Sequence, residues 1–199
     1  MSFSQNNEEF IIVDYLKGVT GRFCDVGAFD GKTFSNTLRL VELGWSGVCV
    51  EPSPTVFPKL METHKGNTKI TLVQAAITAD PASKVAIWYD SGGDAISTTN
   101  IAHKQKWEAG YGSHFQSFYV WMLPVASLFA TFGYDFEFIN LDVESANLEI
   151  FLELPWPKLA KTRLICVEHD GHYQQMMEFA KAFGFKQISM NGENLLMAR

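Results

Sequence analysis

The 199 residues are 47% hydrophobic and 19% charged, the composition of a folded globular chain rather than a disordered one. A formal charge of −6 and a pI near 5.3 offer no general attraction to phosphate backbones or anionic lipid, so neither nucleic acid nor a membrane is an expected partner. Residues 1–7 lack a basic stretch followed by an apolar run, and no later run reaches bilayer length. The three cysteines show no metal-like pairing, so a cytoplasmic protein with reduced, buried thiols is expected.

Asn6-Asn7-Glu8-Glu9 followed by Phe10, Ile11, Ile12 and Leu16 predicts a capped N-terminal helix within residues 1–18, a lid or packing element ending at Gly18. Arg22 to Gly27 reads as a strand breaking into a loop, and Thr33 to Leu43 as a helix closed by Gly44. Gly47 to Glu51 repeats the strand, with Pro54 to His64 the next helix. Ile70 to Ala76 is a third strand and Lys84 to Tyr89 an additional one. Periodicity fails across 90–118, where glycines, polar residues and aromatics mix, which predicts a substrate-facing insertion.

After Tyr119 to Leu123, a helix is expected from Pro124 to Phe132, a strand over Phe136 to Asp142 and a helix from Ala146 to Leu154. A strand over Arg163 to Glu168 and a helix over Tyr173 to Phe183 come next. Phe185 to Met190, the turn signal Asn191-Gly192 and Asn194 to Ala198 close the chain as a hairpin. No repeat or linker divides it, so residues 1–199 are read as one domain of the doubly wound α/β class. Its sheet should be mostly parallel and seven-stranded, with a terminal antiparallel hairpin at one edge.

Two ligand classes use such sheets. A dinucleotide site should present G-x-G-x-x-G after the first strand, whereas this loop spaces Gly27, Phe29 and Gly31 and places a bulky ring where pyrophosphate would approach. The acidic start at Asp25, the early glycine and the closing hairpin match the class I methyltransferase plan better. Asn140-Leu141-Asp142-Val143 also differs from the Asn-Pro-Pro-aromatic sequence expected for methylation of base amines.

From Gly21 to Arg199 the chain resembles the FkbM family of methyltransferases. The matching pieces are Asp25-Val26-Gly27-Ala28-Phe29-Asp30-Gly31, Ser35-Asn36-Thr37, Gly44-Trp45-Ser46-Gly47, Glu51-Pro52-Ser53-Pro54, Ile139-Asn140-Leu141-Asp142-Val143-Glu144 and Val167-Glu168-His169. One departure is Ser145, where the family usually has Gly. The resemblance implies S-adenosylmethionine as cofactor and O-methylation of a hydroxyl on a sugar, glycan or small natural product. The alternatives are a donor-binding module or partner subunit without catalysis, or a methyltransferase acting on another acceptor class, and oligomeric state is left open.

The donor's parts need different partners. Asp25 would accept hydrogen bonds from the ammonium, while Gly27 and Ala28 let the backbone come close and Phe29 and Asp30 complete the loop. Backbone donors near Thr33, with Ser35 or Asn36, would meet the carboxylate. Glu51 would grip the ribose hydroxyls, with Pro52 and Ser53 forming the turn beyond it, and Gln74 and Ala75 would border the adenine. Asp142 also belongs to the donor set.

On the acceptor side, an alcohol needs a base or a metal to become a good nucleophile. Asp142 and Glu168 end neighbouring strands, an arrangement similar to catechol O-methyltransferase and its relatives. Together with His169 or Asp170 they would hold Mg²⁺ or Mn²⁺. The metal-free route makes His169 the base, with His172 second, and His103 and His114 in the insertion as further candidates. Trp107, Tyr111, Phe115 and Phe118 would stack on a sugar ring or close over the core.

Overall fold

The computed structural model describes residues 2–199. Helix α1 (Glu8–Leu16) and strand β1 (Arg22–Val26) lead into α2 (Leu38–Glu42), β2 (Ser46–Val50), α3 (Phe57–Thr63) and β3 (Ile70–Val73). An excursion follows, made of β4 (Ala76–Thr78), β5 (Val85–Asp90), α4 (Ile101–Tyr111) and β6 (Gln116–Pro124). The chain then returns through α5 (Val125–Phe132), β7 (Phe138–Leu141), α6 (Asn147–Leu152), β8 (Leu164–Glu168), α7 (Tyr173–Lys181), β9 (Lys186–Met190) and β10 (Asn194–Ala198).

The main sheet has seven strands in the order β3-β2-β1-β7-β8-β10-β9, and only the pairs made by β10 are antiparallel. This is the expected doubly wound sheet with its closing hairpin. The reversed strand lies one place in from the edge.

Side chains alternate across each strand, so each face gathers its own core. Cys24, Val26, Ile139, Leu141, Ile165 and Val167 pack under α5, α6 and α7 with Leu128, Phe129, Ile150 and Met176. Phe23, Cys49, Phe138, Leu164 and Cys166 pack on the other side with Ile12, Leu16, Leu40 and Leu60. Covering both faces explains why these strands read as continuous apolar runs. Ile12 and Leu16 make α1 a packing helix. Its expected side-chain cap is absent: Asn7 takes a left-handed conformation, and the Glu9 amide is met by the Ser4 hydroxyl instead.

Three boundaries differ from expectation. Helix α2 starts at Leu38 rather than Thr33, because Asp30 accepts from the amides of Lys32 and Thr33 and winds that stretch into a turn. The third strand stops at Val73, and residues 76–78 leave it to pair with β6 in a separate three-stranded sheet ordered β4-β6-β5. The insertion contains α4 and the start of β6. Asn100 caps α4 through the amides of Ala102 and His103, and Gly112 ends it in the left-handed conformation. Among the described residues no helix is long and apolar enough to cross a membrane.

A Cβ on Gly27 would sit 1.6 Å from the Asp142 carbonyl oxygen, and the backbone there has φ +89°. Gly27→Ala is expected to lower stability by at least about 3 kcal/mol or prevent folding. Gly110→Ala, inside α4 with nothing within 4 Å, should be neutral or stabilise by roughly 0.5–1 kcal/mol. Chemical denaturation of the two variants checks the contrast.

Candidate functional site

The strand order reverses between β1 and β7, and a doubly wound sheet opens its crevice at that point, beyond the strands' C-terminal ends. A cavity of about 530 Å³ lies there. It has two chemically different ends.

At the first end, parallel register sets Asp25 beside Asn140. The buried Asp25 carboxylate accepts from Asn140 Nδ2 at 2.9 Å and from the Thr37 hydroxyl. Asn36 Nδ2 in turn donates to Asn140 Oδ1 at 3.0 Å, while Asn36 Oδ1, on the cavity wall, is buried without a partner. Burial raises the Asp25 pKa, and the two hydrogen bonds oppose the rise.

Glu51 is fixed differently. The Phe29 amide donates to one carboxylate oxygen at 3.0 Å and the Ser53 amide to the other at 2.8 Å. Each oxygen keeps a further acceptor site. Burial pushes this group up to about 7 against those two bonds. Gly27, Ala28, Phe29, Ser35, Pro52, Ser53 and Ala75 also line the cavity, and the Ser35 hydroxyl accepts from the Leu38 amide to start α2. Asp30 and Gln74 do not line it. Asp30 is committed to its own turn, and Gln74, past the end of β3, faces solvent.

The second end is acidic. Asp142, Glu144 and Glu168 each bring a carboxylate oxygen within 4.8 Å of the other two. Asn147 Nδ2 bridges Glu168 at 2.7 Å and Asp170 at 2.9 Å. Burial and then the charges of Glu168 and Glu144 push the Asp142 carboxyl well up; burial and Asp170 raise Glu168; burial and Glu168 carry Glu144 to about 8. Such a group can retain a proton at neutral pH, or hold a hard divalent cation through oxygen ligands.

The expected partner His169 is not in this group. Its Nδ1 accepts from the Gly171 amide at 3.0 Å and its Nε2 lies 3.2 Å from the Asn191 carbonyl, which fasten the ring to the turn between β9 and β10. It does not line the cavity, and Glu144 takes its place beside Asp142 and Glu168. His172, His114, Tyr111, Phe115 and Phe118 are also outside the lining, whereas His103 and Trp107 of α4 are part of it. Gln5 and Glu193 line the rim and hydrogen-bond each other at 2.9 Å. Nothing local in the sequence marks that pair, 188 positions apart.

Ser145 has φ +78° and Glu144 φ +50°. A glycine at 145 would adopt this backbone freely. The Ser145 hydroxyl instead lies 2.8 Å from His103 Nδ1 and ties the loop to the insertion.

The description "Methyltransferase FkbM domain" fits residues 25–186 of this chain. No curated protein sequence matches it. Among solved structures, precorrin-6y C5,15-methyltransferase from Geobacter metallireducens GS-15 superposes with a TM-score of 0.53 at 11% identity, covering 100% of this chain and 92% of that one. Monomeric WbdD gives 0.53 at 11% identity, over 98% of this chain and 41% of its own. A NADB-Rossmann superfamily protein from Streptococcus agalactiae gives 0.50 at 12%, over 100% and 70%. These likenesses concern the fold, which is the class I methyltransferase (Rossmann-like) fold.

The raised Glu144 carboxyl makes a pH prediction. The folded state keeps its proton up to about 8, whereas the free group loses it near 4.5, so stability falls as pH rises through that interval. Glu144→Gln removes this penalty. The variant should match the wild type near pH 4.5 and exceed it by roughly 1–3 kcal/mol at pH 8. Urea melts across that range check both sign and window.

Proposed function

The chain belongs to the FkbM family of S-adenosylmethionine-dependent methyltransferases, and on that premise we propose that it methylates a hydroxyl of a neutral acceptor, a sugar, glycan or small natural product. The observation that carries this reading is the carboxylate group Asp142, Glu144 and Glu168, which shares one cavity with the amide-held Glu51. An alcohol oxygen must lose its proton as it attacks carbon, and a carboxylate in this group can receive that proton.

At the other end, Glu51 is oriented to accept two hydroxyl hydrogen bonds, and Asn36 Oδ1 offers a buried acceptor to an ammonium. Bound there, the donor supplies an electrophilic methyl group on sulfur and departs as the neutral thioether. Ala28, Ala75 and Ile77 give this end an apolar lining that limits water.

Charge narrows the acceptor. Lys106 is the one Lys or Arg lining the cavity among the described residues, against eight acidic side chains, among them Asp94 and Asp170. A phosphorylated or carboxylated acceptor is therefore disfavoured. A second reading of the acidic end, Mg²⁺ or Mn²⁺ on Asp142, Glu144 and Glu168, is favoured by their 4.8 Å spacing. Such an ion would acidify a hydroxyl bound to it. The three free, buried cysteines fit a reducing, cytoplasmic setting.

Release of S-adenosylhomocysteine from S-adenosylmethionine in the presence of hydroxylated acceptors tests the reading. Asp142→Asn should lower turnover by about 10²- to 10⁴-fold. Chelator abolishes turnover if an ion is used and leaves it unchanged if the carboxylates act alone. Turnover only with amine or thiol acceptors would reject O-methylation.

Donor affinity is a separate check. Glu51→Ala should weaken S-adenosylhomocysteine binding roughly 10- to 100-fold in calorimetry, through loss of two charge-assisted hydrogen bonds. Glu62→Ala on α3, whose exposed side chain pairs with exposed Lys65, should change it less than about twofold.

A further inference from the structure

Helix α4 buries none of its residues in the core, yet it turns His103 and Trp107 into the cavity. The two residues are one turn apart on one helix face, with ring centroids 6.1 Å apart. Trp107 Nε1 and His103 Nε2 are both buried and neither makes a hydrogen bond of good geometry, although the Ile96 carbonyl interacts with the His103 ring. A buried nitrogen left in this condition is unfavourable unless a ligand or water completes it.

His103 is held in place from its other side. Its Nδ1 lies 2.8 Å from the Ser145 hydroxyl, and its Nε2 lies 3.7 Å from Glu144 Oε2, too far for a hydrogen bond. Thr98 donates to the Glu144 carbonyl at 3.1 Å, so the insertion grips residues 144 and 145 at two points. Those residues both have positive φ, a conformation that side-chain-bearing residues adopt only when surrounding contacts impose it. The imposed turn sets Glu144 and Ser145 against α4.

We propose that His103 and Trp107 recognise the acceptor, each hydrogen-bonding through its open nitrogen to an oxygen of a neutral polyhydroxylated ring, and so bring one hydroxyl beside Asp142 and Glu168. This rests on the methyltransferase reading of the cavity. Trp107 Nε1 donates. His103 Nε2 donates or accepts according to the direction of the Ser145 hydroxyl. The Trp107 ring adds an apolar face with a polar tip, suited to a sugar whose carbon-bound hydrogens and hydroxyls lie on different sides. Tyr111, tilted 36° against Trp107 with ring centroids 4.6 Å apart, steadies that ring from outside.

The test uses the full ¹⁵N-labelled chain saturated with S-adenosylhomocysteine and, as probes, the methyl glycosides of glucose, galactose, mannose and rhamnose. At least one glycoside should shift a single indole N–H resonance, the one missing from Trp107→Phe. His103→Ala and Trp107→Phe should each weaken that glycoside's binding at least about tenfold. Each should lower kcat/KM for its methylation by a similar factor while donor affinity changes less than about twofold. Unchanged donor affinity shows that the variants are folded, and Trp107→Phe keeps the ring while removing only the donor.

An indole signal unmoved by all four probes would overturn the proposal. So would glycoside affinity and kcat/KM preserved in both variants. Glycoside binding at Trp107 without any methyl transfer would support the acceptor site and reject the O-methyltransferase reading. Methyl transfer with the Trp107 resonance unmoved would do the reverse.

Discussion

The Asp142 carbonyl occupies the space where a side chain on residue 27 would lie. That approach is possible only because residue 27 is glycine with positive φ, and it holds β1 and β7 together to their last residues, where Asp142 N donates to Val26 O at 2.9 Å. Immediately beyond it the two chains part. The loop after β1 turns toward β2, where the amides of Gly27 and Ala28 both meet the Val50 carbonyl, and the chain after β7 carries Asp142 and Glu144 the other way. The crevice opens where the two segments part beyond this contact.

The two ends use carboxylates in opposite ways. Asp25 and Glu51 are each met by two neutral donors and so are fixed as acceptors toward whatever enters. Asp142, Glu144 and Glu168 chiefly face one another, with Asn147 as a bridge from Glu168 to Asp170. Donated hydrogen bonds orient a charge without changing its sign, whereas crowded like charges in a buried site make protons or cations favourable. On the function proposed above, the first end suits binding and the second suits moving a proton or holding a cation.

Much of this was legible in the sequence because its signals are local. The strand ends at Asp25, Glu51, Asp142 and Glu168 follow apolar runs and break into glycine, proline or acidic loops, so both the sheet and the crevice can be placed without coordinates. The apolar spacing that predicts α2 extends back to Thr33, while Asp30 claims the amides that would begin the helix there. Helix α4 was illegible by periodicity, since it buries no core stripe; Asn100 and Gly112 were its only readable signals. His169 stands next to Glu168 in sequence, but the turn between β9 and β10 captures its ring. Glu144 and His103 meet only through a strained turn and an insertion, which no spacing rule encodes.

The proposed function divides the cavity into a donor end at Glu51 and an acceptor end at Asp142 and α4. A crystal structure of the chain with S-adenosylhomocysteine tests it most directly. The ribose hydroxyls should lie within hydrogen-bond distance of Glu51, with the sulfur directed toward Asp142 and the space before His103 and Trp107 left open. A ligand found away from Glu51, or one whose homocysteine arm fills the space before α4, would contradict it.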